Sequence, residues 1–102
     1  MKMILALDIG NTNIVIGCME NEKCCFVERV STNSSKTELE YVVDFKTLLE
    51  LYEIPMKDIT GCIVASVVPP LNNIVISALK KLLRVPPLLV GPGVKTGLNI
   101  LM

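Results

Sequence analysis

The sequence predicts an α/β fold in which five strands form a mixed sheet and two helices make the crossover connections. Two observations support this prediction. Short apolar runs bounded by polar or Pro/Gly-rich turns are typical of strands, and two longer segments carry apolar residues at helical spacing. The order is strand, strand, strand, helix, strand, helix, strand. Such an order predicts an antiparallel meander followed by two strands that are reached through helices.

The first three strands follow one another closely. Residues 3–7 are apolar on both faces, which indicates a central strand that is covered on two sides. Residues 14–19 predict a second strand, residues 20–23 a polar reversal, and residues 24–30 a third strand. This part of the chain therefore predicts the meander.

The first helix is expected to begin at a capping box formed by Ser35 and Glu38, in which each side chain satisfies an exposed backbone donor of the other. Pro55 prevents its continuation. The spacing of three and four residues predicts a buried stripe on this helix, made of Leu39, Val42, Phe45, Leu49 and Tyr52.

The second half of the chain predicts two more strands around a second helix. Residues 62–66 form an apolar run that is too short for a helix, and residues 88–90 form another. Between them, Pro69 and Pro70 open the second helix, as proline does at a first helical turn. Its predicted buried face consists of Leu71, Ile74, Val75, Ala78, Leu79 and Leu82.

Composition narrows the classes of function. Ten basic and ten acidic residues give no net charge, and aromatic residues make up only 4% of the chain, so nucleic acid is not an expected partner. No apolar run approaches the ~18 residues of a membrane span, so no membrane contact is expected. At 102 residues the chain is expected to form one domain, residues 1–102.

The cysteines predict neither a zinc site nor a disulfide framework. Cys18, Cys24, Cys25 and Cys62 show no Cys-x-x-Cys spacing, and the chain contains no histidine. The apolar start is too short for a signal peptide and runs directly into Asp8. We therefore expect reduced, buried thiols and a cytoplasmic protein.

Residues 8–13, with the sequence Asp-Ile-Gly-Asn-Thr-Asn, place a carboxylate at the end of the central strand and a small polar turn directly after it. Gly10 allows close backbone approach, and the amides of residues 10–13 together with the Thr12 hydroxyl are potential donors to phosphate. Asp8 would need an intervening magnesium ion, which favours few carboxylates, several waters and phosphate oxygens. The alternative is an ordinary Gly-Asn hairpin turn with an incidental Asp.

Residues 91–97, Gly-Pro-Gly-Val-Lys-Thr-Gly, do not form a standard nucleotide motif. The P-loop pattern requires glycine before the lysine, where Val94 stands, and the third glycine of the dinucleotide fingerprint would fall at Thr96. The segment still offers one cation, one hydroxyl and flexible amides. It therefore fits either a site for a small anion or a tight loop.

Three segments together, residues 8–15, 65–70 and 91–98, resemble in order and spacing the amino-terminal half of type III pantothenate kinases. That family lies within the superfamily of acetate and sugar kinases, actin and heat-shock chaperones. The resemblance implies a ribonuclease H-like, actin-like ATPase fold. It also implies transfer of the γ-phosphoryl group of ATP to pantothenate, the first committed step toward coenzyme A, with a monovalent cation such as potassium or ammonium assisting.

The resemblance also implies which residues bind each ligand. The first phosphate-binding element for ATP would consist of Asp8, Ile9, Gly10, Asn11, Thr12, Asn13, Ile14 and Val15, with Asp8 acting through magnesium. The pantothenate pocket, near a homodimer interface, would be lined by Gly93, Lys95, Thr96 and Gly97.

Members of this family are longer than 102 residues. Their pattern continues with a Tyr-Asp-Asn-Pro stretch and a Gly-Ala-Asp-Arg motif, which supplies the general base, and neither occurs here. No catalytic residue is therefore assigned, the second domain is expected to be absent, and the isolated chain is expected to be inactive. Two alternatives remain: a non-catalytic binding, assembly or regulatory module with the same fold, and another kinase of the superfamily, such as a sugar kinase.

Overall fold

The computed structural model of the chain describes residues 2–90. The strands are β1 (Met3–Ile9), β2 (Asn13–Glu20), β3 (Lys23–Ser31), β4 (Ile59–Ser66) and β5 (Pro87–Val90). The helices are α1 (Glu38–Leu51) and α2 (Pro69–Leu82), and a single 3₁₀ turn, Met56–Asp58, precedes β4. The predicted order of elements is confirmed. None of the helices in this part of the chain is long and apolar enough to cross a membrane.

The strands form one mixed sheet in the order β3-β2-β1-β4-β5. The pairs β1–β2 and β2–β3 are antiparallel, whereas β1–β4 and β4–β5 are parallel. The sheet therefore has the predicted meander and the two helical crossovers, and β1 is its central strand. This confirms the predicted α/β fold class.

The two faces of the sheet differ. The face that packs against α1 and α2 carries the main core, to which β1 contributes Met3, Leu5, Leu7 and Ile9. The opposite face carries Ile4, Ala6 and Asp8 from the same strand, because side chains alternate along a strand. No described helix covers this second face, which we call the open face. Its small apolar cluster contains Ala6, Val15, Ile63 and Ala65.

The start of α1 differs from the prediction. The N-cap is Thr37 rather than Ser35, and the capping box joins Thr37 to Glu40. The Thr37 amide donates to the Glu40 carboxylate at 3.0 Å, and the Glu40 amide donates to the Thr37 hydroxyl at 3.2 Å. The Thr37 amide, together with the Thr37 hydroxyl that donates to the same carboxylate oxygen, lowers the pKa of Glu40. Both Ser35-x-x-Glu38 and Thr37-x-x-Glu40 match the pattern, and the two-residue shift moves the helix start.

The buried stripe of α1 is also shifted from its predicted position. Leu39 is 69% exposed and Tyr52 is 38% exposed, whereas Tyr41 is completely buried beside Phe45. The Tyr41 hydroxyl donates to the Asn33 carbonyl at 2.8 Å and accepts from the Asn33 amide at 3.2 Å. Tyr41, which the predicted stripe did not include, thus lies in the core with its hydroxyl satisfied, and Leu39 faces the solvent.

Helix α2 follows the prediction more closely. Leu71, Val75, Ala78 and Leu79 are buried, and Ile74 and Leu82 pack at the margin of the core. Of the cysteines, only Cys18 and Cys62 are buried, and all four are free thiols. Burial raises the pKa of Cys62 to about 12, and burial with the nearby Cys25 thiol does the same for Cys18. The expectation of buried thiols is wrong for the exposed Cys24 and for the half-buried Cys25.

Candidate functional site

Asp8 is the only charged residue of the central strand and lies one residue before its carboxyl end. The strand alternation directs its side chain to the open face, away from the two helices. The carboxylate is partly buried, and it has no hydrogen bond or ion pair within residues 2–90. A half-buried anion that no residue of this described range neutralises is a candidate ligand for a cation.

The turn after Asp8 is a hairpin between β1 and β2, closed by the Gly10 amide, which donates to the Asn13 carbonyl at 2.9 Å. Thr32, just beyond β3, holds the turn from the other side. Its hydroxyl donates to the Gly10 carbonyl at 2.7 Å, and its amide donates to the Thr12 carbonyl at 2.9 Å. The Val67 amide donates to the Ile9 carbonyl at 3.0 Å. The turn is thus fixed by the ends of β3 and β4.

These bonds change the set of predicted phosphate donors. The Gly10 amide already donates to the Asn13 carbonyl, so it is not free to donate to a phosphate in this conformation. Asn11 and Thr12 are exposed, and neither their amides nor the Thr12 hydroxyl has a protein partner among the described residues. Two backbone donors and one hydroxyl therefore remain next to Asp8. The turn is a hairpin, as the alternative interpretation of this sequence predicted. It nevertheless retains donors that have no partner among the described residues.

Gly10 has a steric role in this turn. A Cβ atom built at this position would lie 3.1 Å from the Asn13 carbonyl oxygen, closer than an ordinary van der Waals contact. That oxygen is backbone and accepts the bond that closes the turn. A side chain here would force the backbone of the turn to shift by a few tenths of an ångström, so the close approach of two chain segments favours glycine.

The three apolar residues of the predicted ATP element have different positions. Ile9 and Ile14 pair with each other and are completely buried in the core under the helices. Val15 pairs with Asp8 and lies on the open face. Only Val15 is thus placed beside the carboxylate, whereas the two isoleucines anchor both ends of the turn.

The predicted pantothenate residues Gly93, Lys95, Thr96 and Gly97 lie outside the described residues. The structure does describe where the preceding strand ends. Val90 pairs with Ala65, which in turn pairs with Asp8, so these three residues form one row across the sheet. The chain enters the Gly91–Gly97 segment directly after this row.

Sequence reasoning missed Thr32 as a residue of the site. The register of β2 and β3 pairs Asn13 with Ser31, which brings Thr32 next to Thr12. Counting the meander from its two turns would have placed Thr32 near this position. The bulge in β3 opposite Cys18 and Met19 shifts the count by one residue, and no sequence pattern indicated it.

The residues at this edge fit a magnesium-bound phosphate. One carboxylate without a partner suits magnesium, which is commonly held by one or two carboxylates, waters and substrate phosphates. No group of three or more His, Cys, Asp or Glu side chains that could enclose a metal occurs in residues 2–90. A metal ion at Asp8 would therefore need waters and phosphate oxygens to complete its coordination.

Comparison with known proteins identifies the relatives of this chain. The family model of type III pantothenate kinase matches residues 4–102. A type III pantothenate kinase from Bacillus cytotoxicus is 48% identical over 98 residues, which are 96% of this chain and 37% of that protein. One from Bifidobacterium animalis subsp. lactis is 44% identical over 100 residues, 98% of this chain and 40% of that protein. The chain thus spans about two fifths of the length of these relatives.

Solved structures with low sequence identity share the fold. A ROK hexokinase from Thermus thermophilus superposes with a TM-score of 0.64 at 13% identity, covering 87% of this chain and 33% of the hexokinase. A Bacteroides thetaiotaomicron protein with an actin-like ATPase fold gives a TM-score of 0.59 at 9% identity, covering 87% of this chain and 32% of its own. Thermus thermophilus RuvC, in complex with a Holliday junction substrate, gives 0.61 at 16% identity, covering 90% and 66% of the two chains. Fold alone therefore does not distinguish these functions.

Proposed function

Because this chain belongs to the type III pantothenate kinase family, we propose that it forms the amino-terminal, ATP-binding domain of an enzyme that phosphorylates pantothenate. The complete enzyme would transfer the γ-phosphoryl group of ATP in the first step of coenzyme A biosynthesis. One observation carries the proposal. Within the described residues 2–90, neither the Asp8 carboxylate nor the Asn11 and Thr12 amides of the adjacent hairpin have a partner.

Each residue of the turn has a defined role in this proposal. Asp8 would hold a magnesium ion through water, and the amides of Asn11 and Thr12 with the Thr12 hydroxyl would donate to phosphate oxygens. Bound magnesium supplies positive charge that neutralises those oxygens. Thr32 keeps the donors in place through its bonds to Gly10 and Thr12. Catalysis of phosphoryl transfer consists mostly of such positioning and charge stabilisation.

The remaining parts of the proposal depend on the family rather than on the described geometry. Gly93, Lys95, Thr96 and Gly97 would contact pantothenate, near an interface between two copies of the enzyme. Potassium or ammonium would assist in the complete protein, which would act in the cytoplasm. The substrate assignment is supported by the end of β5, because Val90 lies in the same row of the sheet as Asp8.

The isolated 102-residue chain is proposed to have no turnover. The family's Gly-Ala-Asp-Arg motif, which supplies the general base, is not among these residues. Loss of general-base assistance alone lowers a rate by roughly 100-fold to 10,000-fold. A kinase assay with magnesium, potassium, ATP and pantothenate that gave repeated turnovers would contradict this part of the proposal.

Isothermal titration of magnesium-ATP into the chain tests the binding site itself. We expect saturable binding that is much stronger with magnesium than without it, and Asp8→Asn should remove this magnesium-dependent part. The matched control is Glu22→Gln, which removes one negative charge from the exposed turn at the opposite end of the β2–β3 hairpin and should bind as the wild type does. If the folded wild-type chain binds no nucleotide and instead self-associates, it is a non-catalytic assembly module.

A further inference from the structure

A row of paired residues crosses the whole sheet and includes Asp8. Val15 pairs with Asp8 on one side and with Arg29 of β3 on the other. Directly paired residues on neighbouring strands point to the same face. Asp8 and Arg29 therefore both lie on the open face, separated by one strand, with their Cα atoms roughly 9–10 Å apart from general strand spacing.

The distribution of charge on this face is uneven. Among the described strand residues that share the face, Asp8 and Arg29 are the only charged ones. The next row toward the turn is polar, with Asn13 paired to Ser31. The preceding row is apolar or lacks a side chain, with Ala6, Gly17 and Val27. Polarity on the open face is thus confined to the edge that carries the hairpin.

Arg29 is exposed, and its guanidinium has no hydrogen bond or ion pair within residues 2–90. Arg29 does not pair with Asp8 either, so no residue of the described range neutralises either charge of this row. An anion held between them would be contacted directly by the guanidinium and, through a magnesium ion, by the carboxylate. Arginine suits this position because its planar donors match phosphate oxygens in a bidentate arrangement.

We infer that Arg29 is a second phosphate-binding residue of this site and donates to the oxygens of the magnesium-bound phosphate held at Asp8. The inference rests on the proposed function, because it takes the same ligand. It assigns Arg29 to binding, and no proton transfer or covalent step is attributed to it. The sequence motif that indicated the site ends at Val15 and does not include this residue.

A simpler explanation for Arg29 is protection of the sheet edge. β3 is an edge strand, and charged residues on edge strands prevent pairing with another chain. That explanation requires a charge on β3 but gives no reason for its position in the row of Asp8. It predicts that Arg29→Gln increases self-association without changing ligand affinity, so the two explanations give different results.

The test uses two probes, ATP and inorganic tripolyphosphate, each titrated with and without magnesium. We expect Arg29→Gln to weaken magnesium-ATP binding about ten-fold to a hundred-fold, as for loss of a hydrogen bond to a charged group. Arg29→Lys keeps the charge but not the planar donors, and should fall between wild type and Arg29→Gln. The matched control, Arg84→Gln, changes the only other arginine, which is exposed just beyond α2, and should bind as the wild type does.

The same titrations separate Arg29 from Asp8. Arg29→Gln should weaken tripolyphosphate with or without magnesium, whereas Asp8→Asn should remove only the magnesium-dependent part of binding. Unaltered affinity in a folded Arg29→Gln variant, with the expected loss in Asp8→Asn, overturns this inference and leaves the proposed function standing. A folded wild-type chain that binds neither probe overturns both. Thermal unfolding without ligand verifies that each variant is folded.

Discussion

The hydroxyl of Thr32 offers a direct test of how the hairpin at Asp8 is held. Replacement by valine keeps the branched shape and the backbone amide, so the 2.9 Å bond to Thr12 remains. It removes the donor of the 2.7 Å bond to the Gly10 carbonyl. One bond of the hairpin is thus deleted with little change in packing.

The expected cost follows from the environment of this bond. A hydrogen bond contributes about 0.5–1.5 kcal/mol, and Thr32 and Gly10 are both half-buried, so water can partly replace the donor. We therefore expect Thr32→Val to lower the free energy of unfolding by about 1 kcal/mol. In urea this corresponds to a midpoint lower by roughly 0.3–1 M. Magnesium-ATP binding should weaken as well. Without this bond the Gly10 carbonyl is held less firmly, so the neighbouring amides of Asn11 and Thr12 become more mobile.

Thr60→Val is the matched control. The Thr60 hydroxyl donates to the Met3 carbonyl, at the opposite end of β1 from the hairpin, over a longer distance of 3.4 Å. That bond is weaker, so its loss should cost less and leave nucleotide affinity unchanged. Urea unfolding followed by circular dichroism measures both variants. A loss in Thr32→Val no larger than that in Thr60→Val would refute the assignment of Thr32 as the clamp of the hairpin.

Three further predictions concern the fold around the site. Thr37→Ala should lower the free energy of unfolding by about 1 kcal/mol through loss of the helix cap, whereas Ser35→Ala should change it little; equal losses in urea titrations would contradict the observed cap. Tyr41→Ala should lower the free energy of unfolding by about 3–5 kcal/mol because it empties a buried aromatic site, whereas Leu39→Ala should change it by no more than about 0.5 kcal/mol. Thermal unfolding measures both variants, and a larger loss for Leu39→Ala would indicate that the buried stripe lies where the sequence predicted it. For Cys62, the folded thiol pKa of about 12 lies above the ordinary value of 9.0, so the unfolded chain loses this proton first and stability falls as pH rises from about 9. Urea titrations between pH 8 and pH 11 should therefore give a shallower decline for Cys62→Ala than for wild type, by up to about 1.4 kcal/mol per pH unit, and identical slopes would argue against the buried thiol.

The order and type of the elements were predictable because they depend on local patterns. Apolar alternation, helical spacing and the prolines at 55, 69 and 70 each act over a few residues. The exact start of α1 was harder to predict from the sequence. Two overlapping capping boxes compete there, and the bond between Tyr41 and the Asn33 backbone connects the helix to the segment before it. A choice of this kind depends on contacts that a local pattern does not contain.

The candidate site likewise has a part that the sequence predicted and a part that it did not. Asp8 and the polar turn were predicted, because a carboxylate directly after an apolar strand is a local signal. Thr32 and Arg29 lie about twenty residues away along the chain, and they reach the site only through the register of β2 and β3. The bulge in that pair shifts the register by one residue, and each such shift moves side chains to the other face.

By itself, the sequence determined the fold class, the central position of β1, the family and the carboxylate at the end of the strand. The tertiary structure decided which turn donors remain free, which face of the sheet carries Asp8, and which residue of β3 shares its row. The physical reason is the range of the interactions. Propensity and periodicity act between neighbours in the chain, whereas register and burial depend on residues that meet only after the strands have paired.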